Sequence, residues 1–135
     1  MKKRIVGLAL AAAISGTVMA AVPASAATSG RCTDGYVCFY YNSNHGGAKA
    51  KFSSNVSNLA GYTFDSSGAG AGVAVKNNAA SAEYVQSGCS ASNCYARVYF
   101  NSGYLGLYDQ VGAGSWRNLA DTYNNNASLE IFNPL

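Results

Sequence analysis

Four cysteines, Cys32, Cys38, Cys89 and Cys94, have the most chemistry to offer in this chain. As thiolates they would be nucleophiles or metal ligands; oxidised, they would close small covalent loops. Neither C-x5-C nor C-x4-C comes with histidines at zinc spacing, which argues against a metal site. The even count allows three disulfide pairings. Cys32–Cys38 and Cys89–Cys94 are favoured, because each brackets a short turn-like segment, Asp34-Gly35 in one and Ser90-Ala91-Ser92-Asn93 in the other. Loops this small restrict the unfolded chain by only about 2 kcal/mol each, so their larger effect is to stiffen the loops themselves. A stiff exposed loop loses less entropy on docking to a partner.

Other reactive groups are sparse. His45 is the one histidine, so no Ser-His-Asp set can be assembled without it. It sits inside a repeated motif and reads as a turn-packing residue. The acids are spread singly, and with the thiols oxidised no nucleophile remains. The chain is therefore not expected to be an enzyme. Gly68-Ala69-Gly70-Ala71-Gly72 is not followed by Lys-Ser/Thr and does not read as a phosphate cradle. The tyrosines and Trp116 could stack on a sugar, but their recurrence at motif positions favours packing.

Charge and hydropathy set the context. Lys2-Lys3-Arg4, an apolar run from Ile5 to Ala21, and Ala24-Ser25-Ala26 together read as a secretory signal peptide over 1–26. The formal charge of +3 resides in that basic head. The remaining Arg31, Lys49, Lys51, Lys76, Arg97 and Arg117 balance Asp34, Asp65, Glu83, Asp109, Asp121 and Glu130. A near-neutral mature chain supports neither a nucleic-acid partner nor a membrane anchor. It is expected to be secreted, extracellular and monomeric, with disulfides permitted by the compartment.

The elements that must hold these residues come from an internal repeat. Tyr40, His45 and Gly47 are echoed by Tyr99, Tyr104 and Gly106. Asn58-Leu59-Ala60 is echoed by Asn118-Leu119-Ala120, and Asn77-Asn78-Ala79-Ala80-Ser81 by Asn124-Asn125-Asn126-Ala127-Ser128. In each copy two rings can pack across a sharp hairpin, a glycine supplies the turn, and a serine can hydrogen-bond back over it. Short aromatic runs separated by Gly and Asn predict strands over 36–41, 49–52, 73–76, 82–85, 97–100, 106–109 and 128–132. Residues 57–60 and 117–121 are expected to form single helical turns. Each copy reads as a Greek key, and one key cannot bury both faces alone. The expectation is an all-β sandwich of two Greek-key motifs with about eight strands, a single domain over 27–135. Key one spans about 31–87 and key two about 88–135. A Gly-rich insert over 65–76 is expected to be a flexible surface loop.

At these residues the chain resembles the βγ-crystallin superfamily. The Tyr40…Gly47 and Tyr99…Gly106 motifs are similar to its Greek-key signature. Asn77, Asn78 and Ser81, with Asn124, Asn125 and Ser128, are similar to its calcium signature. That resemblance implies weak calcium sites at those six residues, with no cofactor required; uncharged oxygens alone bind such an ion weakly. The segment Cys32-Thr33-Asp34-Gly35-Tyr36-Val37-Cys38 followed by Phe39-Tyr40 resembles the N-terminus of peptidase inhibitor family 36. That family comprises secreted microbial proteins that include metalloproteinase inhibitors. The resemblance implies inhibition of an extracellular metallopeptidase, a protein partner, and an inhibitory loop of Cys89, Ser90, Ala91, Ser92, Asn93 and Cys94. Cys89-Ser90 would be the bond presented. The next position along, where a thermolysin-like peptidase takes a bulky apolar residue, is Ser90. The alternatives are a calcium-binding structural or stress protein of crystallin type, or a small secreted toxin of the same fold.

Overall fold

A computed structural model describes residues 31–135, so the leader read over 1–26 lies outside the described residues. Seven strands follow in order: β1 (Tyr36–Tyr40), β2 (Lys49–Phe52), β3 (Ser81–Val85), β4 (Tyr95–Asn101), β5 (Leu105–Gly112), β6 (Ser115–Asn118) and β7 (Ser128–Phe132). They form two antiparallel sheets, one in the order β2-β1-β3-β6 and the other β5-β4-β7. No helix occurs among the described residues. The two halves exchange segments. β6, from the second half, pairs with β3 in the first sheet. Val56, from the first half, bridges Leu129 of β7 in the second sheet through two hydrogen bonds of 2.8 and 2.9 Å. Val56 thus occupies the place of an eighth strand, and the exchange lets both halves share one core.

Alternation decides which side chains enter that core. In β1, Val37 and Phe39 point inward; in β4, Ala96 and Val98 do. They meet Phe52, Leu59, Phe64, Val75, Val111, Leu119 and Leu129 between the sheets. Leu59 and Leu119, the repeated residues, are both buried and anchored alike: Leu59 N–H donates to Ala127 O at 2.8 Å, and Leu119 N–H to Ala80 O at 3.0 Å. The outward set on β4 is Tyr95, Arg97 and Tyr99.

Three expectations are corrected. Residues 73–76 are not a strand. Only Ala74 makes a bridge, to Thr63, while Val75 drops into the core and the chain turns at Asn77, whose φ is 64°. Residues 57–60 and 117–121 are not helical turns; Arg117 and Asn118 belong to β6. All four β6 residues are exposed, so no alternation marks it in the sequence. Its strand character comes from pairing with β3 after the turn at Gly114. The Gly-rich insert is not a loose loop either. Ala48 N–H donates to Ala69 O at 2.8 Å, Gly72 N–H to Phe64 O at 2.8 Å, and Lys49 N–H to Ser66 Oγ at 2.7 Å. The insert is a strap laid over Tyr41, and Gly70 is the point of contact.

That contact yields a prediction. A Cβ built on Gly70 would lie inside the Tyr41 ring, and φ there is +86°. Gly70→Ala should destabilise the fold by about 3 kcal/mol, from overpacking plus left-handed strain. Gly72→Ala, at φ +81° but with open space around it, should cost only about 1 kcal/mol. Urea unfolding of both variants measures the difference.

Candidate functional site

Each repeated corner is built the same way. Tyr40 and His45 pack edge-on with ring centroids 5.0 Å apart, as Tyr99 and Tyr104 do at 6.1 Å. His45 and Tyr104 both adopt left-handed backbone, with φ of 59° and 62°. Their N–H groups donate to a serine hydroxyl, His45 to Ser81 Oγ at 3.3 Å and Tyr104 to Ser128 Oγ at 3.0 Å. Each hydroxyl in turn donates to a carbonyl at the start of its hairpin: Ser81 to Asn42 O and Ser128 to Asn101 O, both at 2.7 Å. The serines bond back over the hairpins as their spacing predicts.

The asparagines of the calcium pattern lie beside these corners. Asn77 and Asn124 share left-handed φ values of 64° and 52°. They tie the halves together: Asn77 N–H donates to Asn126 O at 2.8 Å and Asn124 N–H to Ala79 O at 3.0 Å. Asn78 and Asn125 use their amide N–H groups on carbonyls two residues back, those of Lys76 and Tyr123. All six residues therefore have turn-making roles, and the two serine hydroxyls donate and accept at once. Among the described residues no group of three or more His, Cys, Asp or Glu gathers as a metal cluster.

Folding assembles a set that the sequence reading did not foresee. Glu83, 1% exposed, accepts Tyr40 OH at 2.8 Å and Cys32 N–H at 2.9 Å on Oε2. On Oε1 it takes Arg31 Nη2 at 2.7 Å and Nε at 3.0 Å. His45 Nε2 lies 3.7 Å from Oε2, shielded from water and without a hydrogen bond, while its ring sits 4.3 Å from that of Trp116. Burial alone would raise the Glu83 pKa, but the Cys32, Tyr40 and Arg31 donors outweigh it and hold the carboxyl below its usual range. Burial lowers the His45 pKa, Glu83 opposes that, and Arg31 adds to it. The second half repeats the core of this set, with Tyr99 OH donating to Glu130 Oε2 at 2.8 Å. One signal could have found both carboxylates: each repeated serine is followed two residues later by a glutamate.

The disulfides pair Cys32 with Cys38 and Cys89 with Cys94, with Cα–Cα distances of 5.7 and 5.8 Å. The first holds Arg31 and Cys32 across the outer face of the first sheet. The second closes the connection between the halves. Ser90, Ala91, Ser92 and Asn93 are exposed, whereas Cys94 is fully buried. Ser90 O accepts Asn93 N–H at 3.0 Å and Cys94 N–H at 2.8 Å, so the loop winds into one tight turn after the Cys89-Ser90 bond. The Ser90 and Ser92 hydroxyls lie 2.8 Å apart. Ala91 rests directly on Gly112 of β5, where any Cβ would meet the Ala91 methyl at 2.5 Å. This loop is thus an exposed turn on a buried base.

A family model for peptidase inhibitor family I36 matches residues 25–111, a span holding both disulfide loops, the first four strands and all but the last residue of β5. The chain belongs to that family. No curated protein matches it significantly. Among solved structures, one from work on the evolution of the eye lens βγ-crystallin domain fold is similar at TM-score 0.56 and 16% identity, covering 76% of this chain and 90% of its own. The N-terminal domain of Protein S is similar at 0.53 and 20% identity, covering 73% and 97%. IPSE alpha-1, described as an IgE-binding crystallin, is similar at 0.52 and 12% identity, covering 74% and 84%. These likenesses show the fold: a βγ-crystallin sandwich. Membership of an inhibitor family points to a peptidase partner and away from an enzyme.

For this family I36 protein, the Glu83 cluster predicts how stability responds to pH. The groups facing His45 are Glu83 on β3, Tyr40 on β1, Trp116 on β6 and Arg31, which precedes β1. With its pKa lowered in the fold, His45 stays neutral where the unfolded chain already takes up a proton. Stability should therefore fall as pH drops below about 6.5. Glu83, also lowered, contributes stability above the unfolded carboxyl range that is lost as pH falls further, through its folded pKa. His45→Tyr, which copies Tyr104, should remove the limb near neutrality and keep the acid limb. Urea unfolding across pH, followed by Trp116 emission, checks both.

Proposed function

We propose that the protein blocks an extracellular metallopeptidase by presenting the Cys89–Cys94 loop to its active cleft. The observation that carries this reading is the family match together with the form of the loop, four exposed residues standing on the buried Cys94. The export signal read at 1–26 and the two disulfides support a site of action outside the cell. The Cys89-Ser90 bond lies just before the tight turn, so it would enter the cleft as a substrate bond does. Its flanks would be held by the disulfide and by the seat of Ala91 on Gly112. Cleavage there would leave both new ends tethered, so they could not diffuse away and religation would compete with release. Because the loop is already ordered, docking costs little further entropy.

The direct test is incubation of the oxidised protein with a panel of secreted metallo- and serine peptidases. Inhibition of a metallopeptidase at micromolar protein is expected, and its absence across the panel overturns the reading. Ser90→Leu supplies the apolar residue that thermolysin-like enzymes take after the bond. It should tighten inhibition of such an enzyme at least tenfold, equivalent to about 1.4 kcal/mol, and leave the melting temperature unchanged because Ser90 is exposed. Replacing Cys89 and Cys94 together by serine should cost about 2 kcal/mol of stability and weaken inhibition by more than that loss of folded protein explains.

A further inference from the structure

Tyr84 is 1% exposed, and its hydroxyl is shielded from water without a hydrogen bond. A phenol can donate and accept, so leaving both capacities unused in the interior costs stability. The ring enters the core from β3, opposite Val37 on β1. Packing alone gives no reason for the oxygen, since phenylalanine has the same ring. Burial raises the pKa of the group, so it stays protonated and able to donate.

Tyr84 lines a cavity of about 480 Å³ at the end of the sandwich where β2, β3 and β7 run out. That volume falls in the range of small-molecule sites and far exceeds one water. Tyr84 is the buried member of the lining; the other residues are exposed or half-buried and form a rim. Five of them carry neutral polar side chains: Ser53, Ser54, Asn55, Gln86 and Asn133. Asn55 Oδ1 accepts Ile131 N–H at 2.7 Å, and Asn133 Oδ1 accepts Leu135 N–H at 3.1 Å. The amide N–H groups of both asparagines have no partner among the described residues. Gln86 is the reverse: its Nε2 donates to Ser87 O at 3.4 Å, and Oε1 is the open atom. The Ser53 and Ser54 hydroxyls also lack a partner among the described residues. Ile131 adds an apolar wall.

We infer that this cavity is a binding site for a neutral saccharide ring, with the Tyr84 hydroxyl at its base and the serines and amides around its rim. Sugar hydroxyls donate and accept at once, which suits a rim that offers both kinds of group. No charged side chain lines the cavity, so a charged ligand would enter without a counter-charge. The neighbouring Asp34 carboxylate is already held by Ser87 N–H at 2.6 Å. A peptide backbone fits less well, because the main chain here is engaged: Gly35 N–H donates to Val85 O at 2.9 Å, and Ile131 N–H to Asn55. An added strand would find no open N–H at either position. No residue of the Cys89–Cys94 loop lines the cavity, and the assignment does not depend on that loop being inhibitory.

The test is an NMR titration of the oxidised protein with glucose, galactose, N-acetylglucosamine and cellobiose, each into the high millimolar range. Saturable shifts at Ser53, Ser54, Asn55, Gln86 and Asn133 are expected with at least one of them. Glucuronate and glucosamine, which carry a charge, should give no comparable response. Tyr84→Phe removes the oxygen alone. It should keep or raise the melting temperature, since an unmet hydroxyl is lost, and weaken binding at least tenfold. Gln86→Leu, on the rim, should also weaken binding and carries the same test if Tyr84→Phe folds poorly. No saturable shift with any of the four sugars, equal binding of the charged analogues, or undiminished binding in either variant overturns the assignment. Saturable shifts with acetyl-Gly-Gly-amide alone would make a peptide the occupant and also overturn it. A peptidase panel without inhibition would leave this titration unaffected, so the two readings fail separately.

Discussion

Two buried serine hydroxyls hold the architecture together. Ser81 and Ser128 each accept the N–H of a residue in left-handed conformation and donate to a carbonyl at the start of the same hairpin. A non-glycine residue pays a conformational penalty at positive φ, and here the serine bond and ring packing offset it. With the hairpin folded down, Tyr40 and Tyr99 are aimed at Glu83 and Glu130. The same corners place Asn77 and Asn124 where their N–H groups cross to the other half. Local turn chemistry, ring packing and the joining of the halves are thus coupled through one pair of hydroxyls.

The two-fold repeat makes the departures from it informative. The first half carries a glycine-rich strap over Tyr41, and the second carries Asp109 in its place as organiser of the following turn. Asp109 is 2% exposed and accepts Ala120 N–H, Thr122 N–H and the Thr122 hydroxyl on one oxygen. Arg117 approaches its other oxygen at 3.2 Å. The first half covers its buried glutamate with the N-terminal segment; in the second, the half-buried Glu130 stands across from Arg97, whose guanidinium lies over Tyr95 and Phe132.

The features legible from residue types were those produced by local rules. Paired rings, turn glycines and serines at matched spacings identified the Greek keys, and short aromatic runs between Gly and Asn turns located β1, β2, β3, β4, β5 and β7 to within a few residues. Cystine pairing by short loops agrees with the structure for the same reason, since each pair brackets a tight turn. β6 was not legible because its four residues are all exposed and only the neighbouring β3 makes them a strand. The glutamate sets were missed because Arg31, Tyr40 and Glu83 are far apart along the chain and meet only across the sheet.

Composition and spacing alone determined that this chain would be an all-β, disulfide-bearing pair of Greek keys, because turns, alternation and small loops are governed by near neighbours. They could not determine that Glu83 would be sealed under the N-terminal segment while Glu130 would stand across from Arg97. That difference depends on where Ala91 comes to rest against Gly112 and on Arg31 reaching Glu83 across the sheet. Both are outcomes of long-range packing, in which the exchange of β6 and Val56 between the sheets sets the positions of strands that no local pattern relates.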